Sequence, residues 1–146
     1  MKHRIIIAIV LLGTQFTIAQ SEASLIEQTL QKYMEGSSFV KLEMLKSAFS
    51  DNGTLYLTGR DGLFKRYTPI EYADFFKNAE KGKFNGRDAK VLAIEVVKDI
   101  ATAKVEIAGP ERKWVYIDLF LLKKFDDAWK IICKTATRVD EKEEER

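Results

Sequence analysis

The sequence predicts an α+β domain in which helices cover one face of a curved antiparallel sheet. Two observations point there. Helical periodicity is concentrated early in the chain, in residues 24–49. Four strand-like runs then follow one another at 89–98, 101–108, 113–124 and 128–139. Helices first and consecutive strands last is the order of an α+β fold, not of alternating βαβ units.

A leader precedes the domain. Lys2 and Arg4 make a positive start, Ile5 to Leu12 an apolar run, and Thr17-Ile18-Ala19 a small-residue cleavage site. This is the pattern of a secretory signal peptide cut after Ala19. The apolar run falls short of the 20 or so residues of a membrane span, which argues against a retained anchor. The expected organisation is a signal peptide at 1–19, one domain at 20–139 and an acidic disordered tail at 140–146. The expected destination is outside the cytoplasm, periplasmic or secreted, with no membrane attachment once the leader is gone.

Composition excludes several classes of function. Lys2 and Arg4 account for the whole net charge of +2, so the body is neutral overall and its basic pI implies no nucleic-acid partner. Cys133 is the single cysteine, which rules out an internal disulfide. His3, inside the leader, is the single histidine. The domain therefore lacks the histidine of Ser-His-Asp and Cys-His sites and of histidine-bound zinc. No metal or other cofactor is expected.

The elements follow in order. Leu25, Ile26, Thr29, Leu30, Tyr33 and Met34 recur at three- and four-residue steps, predicting a first helix that Gly36-Ser37-Ser38 would end. A second helix is expected over 39–49, with Leu42, Leu45, Ala48 and Phe49 inward. "SDNGT" reads as a turn on its Asn52-Gly53 pair, and "TLYLTGRDGLFKRY" as two short strands. Thr68, Pro69 and Glu71 carry the signature of a helix start, N-cap, first-turn proline and capping-box acid. "NAEKGKFNGRDA" is expected as loop. Its basic residues, including Arg87, read as solvated surface because acids are interleaved and no stacking platform accompanies them.

The strand "KWVYIDLFLLKKF" raises the functional question, because it holds one carboxylate, Asp118, among large apolar residues. An unpaired buried charge is costly, so Asp118 needs partners, a proton or a cavity. Alternation puts it on one face with Trp114, Tyr116, Phe120 and Leu122. A two-residue turn at Asp126-Asp127 would set Asp118 opposite Thr135, with Cys133 and Thr137 as diagonal neighbours facing the core and Lys134 on the other face. That other face, with Val115, Ile117, Leu119, Leu121, Ile132 and Ala136, is apolar too. It calls for a cover, and a homodimer packing sheet against sheet supplies one.

This arrangement resembles the nuclear-transport-factor-2-like superfamily. Within it, "VYIDLFLLKKFDDAWKIICKT" is similar to the C-terminal hairpin of the putative-lumazine-binding, polyketide-cyclase-like (SnoaL-like) group, through Tyr116, Asp118, Leu121, Trp129, Lys130, Ile131 and Lys134. The resemblance implies a cone: a curved sheet wrapped around the helices, with a pocket at its open end and an outer face that forms a dimer.

Two functions compete. One is a binding domain that takes a small apolar or aromatic molecule, or a partner, with Tyr33, Tyr56, Trp114 and Tyr116 as pocket candidates. The alternative is a histidine-free isomerase- or cyclase-type enzyme using Asp118 as general base and tyrosine hydroxyls as donors, as the ketosteroid isomerases of this superfamily do. A structural Asp118, held by Tyr33, Thr135 or a backbone amide, favours the first. Glu95 reads either as a second pocket carboxylate or as an exposed strand residue.

Overall fold

The computed structural model describes residues 22–59 and 61–140. The expected signal peptide and the tail beyond Asp140 lie outside them. Asp140, expected to begin the tail, belongs to the domain: its carboxylate accepts the Val115 N–H at 2.8 Å and pairs with Arg138.

The order is α1 (22–38), α2 (Leu42–Ser47), β1 (Phe49–Thr58), β2 (Phe64–Tyr67), α3 (Pro69–Ala73), β3 (Asp88–Val97), β4 (Ile100–Ala108), β5 (Val115–Phe125) and β6 (Ala128–Arg138). The strands form one six-stranded sheet ordered β2-β1-β6-β5-β4-β3. All neighbours are antiparallel except β1 and β6, which run parallel. The sheet is curved and unclosed, and its concave side holds the helices, as the element order predicts.

Helix α1 buries Ile26, Leu30 and Tyr33, spaced by four and three residues, against Leu55, Val105, Ile107, Phe120, Leu122 and Ile131 of the sheet. Its start is clasped to the last hairpin. Glu22 accepts from Trp129 Nε1 and Lys124 Nζ, both at 2.7 Å, and these bonds hold its carboxyl below the usual glutamate range. The helix runs through Gly36 instead of stopping there. A Cβ on Gly36 would lie 2.6 Å from the Leu45 backbone, so this glycine permits close helix approach rather than a stop. Val40, in the left-handed region at φ 54°, then turns the chain into an α2 much shorter than expected.

The Asn52-Gly53 pair lies within β1, where residues 50–53 are looped out between the Phe49–Ile131 and Thr54–Cys133 pairings. Pairing with β6 lapses over these residues and resumes at Thr54, so the turn signal is met as a loop-out inside the strand. The capping box at α3 is present as expected, with Thr68 and Glu71 bonding reciprocally.

The register of the last hairpin differs from expectation by one residue. Phe125 pairs with Ala128 around the expected Asp126-Asp127 turn, and Leu122 with Ile131. Leu121 then pairs with Cys133, leaving Ile132 as the extra residue of a β-bulge. Beyond the bulge every face assignment in β6 reverses. Asp118 lies opposite Ala136, Lys134 joins the Asp118 face, and Cys133, expected to face the core, shares the outer face with Leu121. A second bulge at Leu92 in β3 turns Glu95 outward, where it is exposed.

The outer face is less apolar than expected: Ala136 joins the Asp118 face, and Leu119 lies between Lys104 and Thr135. Leu119 is 46% exposed and Leu121 40%, beside half-buried Ile117 and Cys133. Among the described residues no helix is long and apolar enough to cross a membrane.

Candidate functional site

The concave side of β5 and β6 holds a closed polar cluster. Asp118 and Lys134 are each 2% exposed, and their side chains pair at 3.1 Å between Lys134 Nζ and Asp118 Oδ1. The other carboxylate oxygen accepts the Tyr33 hydroxyl at 2.6 Å, reaching from α1. Tyr33 thereby commits its proton to Asp118, so at the 2.9 Å contact between the tyrosines Tyr72 of α3 must donate. Burial, with the Asp118 carboxylate adding to it, pushes Tyr33 well above the usual tyrosine range. Tyr33 is a fixed donor, not a phenolate.

Lys134 is caged by aromatic rings. Its ammonium lies 5.4 Å from the Tyr72 centroid, 5.8 Å from Tyr33 and 5.9 Å from Phe120. Ring faces attract a desolvated cation and offset part of what it loses on leaving water.

Arg87 is the third charged member. Burial disfavours its cation, but the adjacent Tyr72, Tyr33 and Asp118 outweigh that and hold the guanidinium above its usual range. It stands over Phe76 at 5.1 Å and Trp114 at 5.8 Å. Its Nε is buried without an acceptor. The loop that carries it is stitched to the end of α1. Asn85 donates to the Ser37 and Ser38 carbonyls, Gly82 N–H to the Phe39 carbonyl, and Ser38 Oγ to the Arg87 carbonyl. These contacts satisfy carbonyls that a helix end leaves open.

The structure thus joins Asp118 and Tyr33, and links Trp114 to them through Arg87. Tyr56 lies apart, on the outer face, stacked on Phe64 at 5.8 Å. Tyr116 is a partly exposed residue near the strand start, edge-on to Trp114. Sequence reasoning missed Lys134, Tyr72 and Arg87 as site members. Tyr72 was legible as part of the inward face of α3. Lys134 was hidden by the bulge, and Arg87, read as solvated surface, is drawn inward by its loop.

Two cavities open at the surface, and Asp118 lines neither. One, about 370 Å³, lies along α2 and includes Lys41, Met44, Lys77 and Lys81. The other, about 240 Å³, lies at the cone mouth between α1 and the start of β3, and Arg87 lines it. Among the described residues no cluster of side chains suits a metal ion.

This helix-filled, unclosed sheet defines a nuclear-transport-factor-2-like (NTF2-like) protein. Residues 21–136 match the family described as "Putative lumazine-binding", and the chain belongs to that family. Among solved structures, an NTF2-like protein of unknown function from Shewanella baltica superposes with a TM-score of 0.72 at 21% identity, covering 83% of this chain and 96% of its own. Another from Methylobacillus flagellatus gives 0.71 at 24%, covering 82% and 93%. A ketosteroid isomerase-like protein from Erwinia carotovora atroseptica gives 0.61 at 15%, covering 81% and 96%. No curated protein matches the chain significantly.

Removing one member of the buried pair strands the other. Lys134→Met is expected to cost about 3–5 kcal/mol in urea unfolding, and pairing it with Asp118→Leu to restore most of that. A single-variant loss below about 1 kcal/mol would contradict the cluster's role.

Proposed function

We propose that this chain is an exported, non-catalytic binding domain that takes a small flat ligand at the mouth of its cone. The observation that carries the reading is the occupancy of Asp118. One oxygen holds Lys134 and the other Tyr33, so the interior carboxylate is engaged in holding elements together. A general base needs a substrate proton within about 3 Å, and Asp118 is buried with both oxygens bonded. The mouth cavity instead offers Met34, Phe39 and Phe84, with Gln31 and Ser38 as polar groups at its wall. Glu35, Arg87 and Asp88 complete a wall that is more polar than apolar. It suits a small ring bearing polar substituents, and the family description makes lumazine the first probe.

Calorimetric titration with lumazine is expected to give saturable one-site binding. Phe84→Ala, which removes an exposed ring paired with Phe39 at 5.4 Å, should weaken it about two- to tenfold. Unchanged affinity in that variant would move the site elsewhere.

The exposed Leu119 and Leu121, bordered by Lys104, Thr102 and Thr135, support a homodimer through the outer sheet face, with the leucines at the centre of the contact. Leu119→Arg should convert dimer to monomer in sedimentation, and an unaltered mass would refute the interface. Export rests on the leader pattern of 1–19. Mass spectrometry of the exported protein should find Gln20 as its first residue, whereas a chain retaining Met1 would refute cleavage.

A further inference from the structure

The buried charges do not balance. Arg87 and Lys134 are two cations in contact with one cluster of groups, and Asp118 is the carboxylate that faces them. Lys134 has its acceptor and its ring cage. Arg87 has neighbouring tyrosines and two ring faces, yet its Nε has no acceptor. An enclosed donor left unpaired costs free energy, which makes it a place where a ligand group gains more than it would in water.

Arg87 also lines the 240 Å³ cavity at the cone mouth. Two acids share that wall: Glu35 is paired with Lys41 at 3.3 Å, whereas Asp88 accepts the Ala89 N–H at 3.1 Å and the nearby Arg112 is paired with Glu106. Phe39 and Phe84 give an apolar wall suited to one face of a ring. The volume is just under the roughly 300–1,000 Å³ of sites for drug-sized molecules, so the fitting ligand is small.

We infer that the cavity binds a small aromatic acid, its carboxylate completing Arg87 and its ring lying against Phe39 and Phe84. This rests on the binding reading above and adds the ligand's charge to it. Nε is closed to water and the loop is hydrogen-bonded to α1, so the carboxylate meets the guanidinium from the side on which Arg87 lines the cavity. The same loop carries the exposed Phe84.

The test compares 2-naphthoate with neutral 2-naphthamide by calorimetry on the mature domain. Native protein should bind the acid at least about tenfold more tightly. Arg87→Gln should abolish that preference and Arg87→Lys keep part of it. Because Arg87 is packed between rings, a variant at an exposed rim position serves as a second probe. Gln31→Glu should weaken naphthoate about two- to fivefold more than it weakens naphthamide, through like-charge repulsion. Equal affinity for the two probes would overturn the anion inference while leaving the binding reading intact. Binding of neither would overturn both. A preference that survives in folded Arg87→Gln, or a Gln31→Glu effect on both probes alike, would also overturn the assignment to Arg87.

Discussion

The Asp118–Lys134 pair constrains the rest of the molecule. Two charges withdrawn from water are tolerated only with good geometry and further hydrogen bonds. The extra bonds come from outside the sheet: Tyr33 arrives from α1 and passes the chain of hydroxyls on to Tyr72 of α3. One carboxylate thus ties the fifth strand to the sixth, the first helix and the third. Such a pair adds little net stability compared with an apolar isostere, but it penalises any arrangement that separates the partners. The Ile132 bulge is what brings Lys134 onto the required face.

Architecture was largely legible in the sequence, because it rests on periodicities that act over many residues. The four late strands appear within about two residues of their expected ends, and the α3 cap is where Thr68 and Glu71 indicate. What failed were features decided by a single residue against tertiary context. Gly36 reads locally as a stop, yet it serves a helix crossing that only the folded chain contains. Asn52-Gly53 reads as a turn between elements and instead forms a loop-out inside β1, which pairs with β6 on both sides of it. Ile132 carries no local mark of a bulge, and that one silent insertion reverses the faces of Cys133, Lys134 and Ala136. The candidate site was half legible: Asp118 and Tyr33 stood out, whereas Arg87 was one basic residue among many.

Likeness of fold does not transfer chemistry. The ketosteroid isomerase-like neighbour shares the cone at 15% identity. In this chain the interior carboxylate is committed to a cation and a hydroxyl. In the proposed binding reading, recognition falls to the rim, where the α1 terminus, the loop before β3 and Arg87 meet. That rim is held by backbone bonds together with the side chains of Asn85 and Ser38, so it is fixed to the frame beneath.

An open sheet leaves two unpaired borders, and each is a template on which a foreign chain could continue the ladder. Here one border is β2, only four residues long. The other is β3, interrupted by its bulge at Leu92 and carrying Lys90. Brevity on one side, and a kink with a charge on the other, discourage end-to-end growth into fibres. A fold left unsealed for its helices therefore carries its own guards against open-ended strand addition.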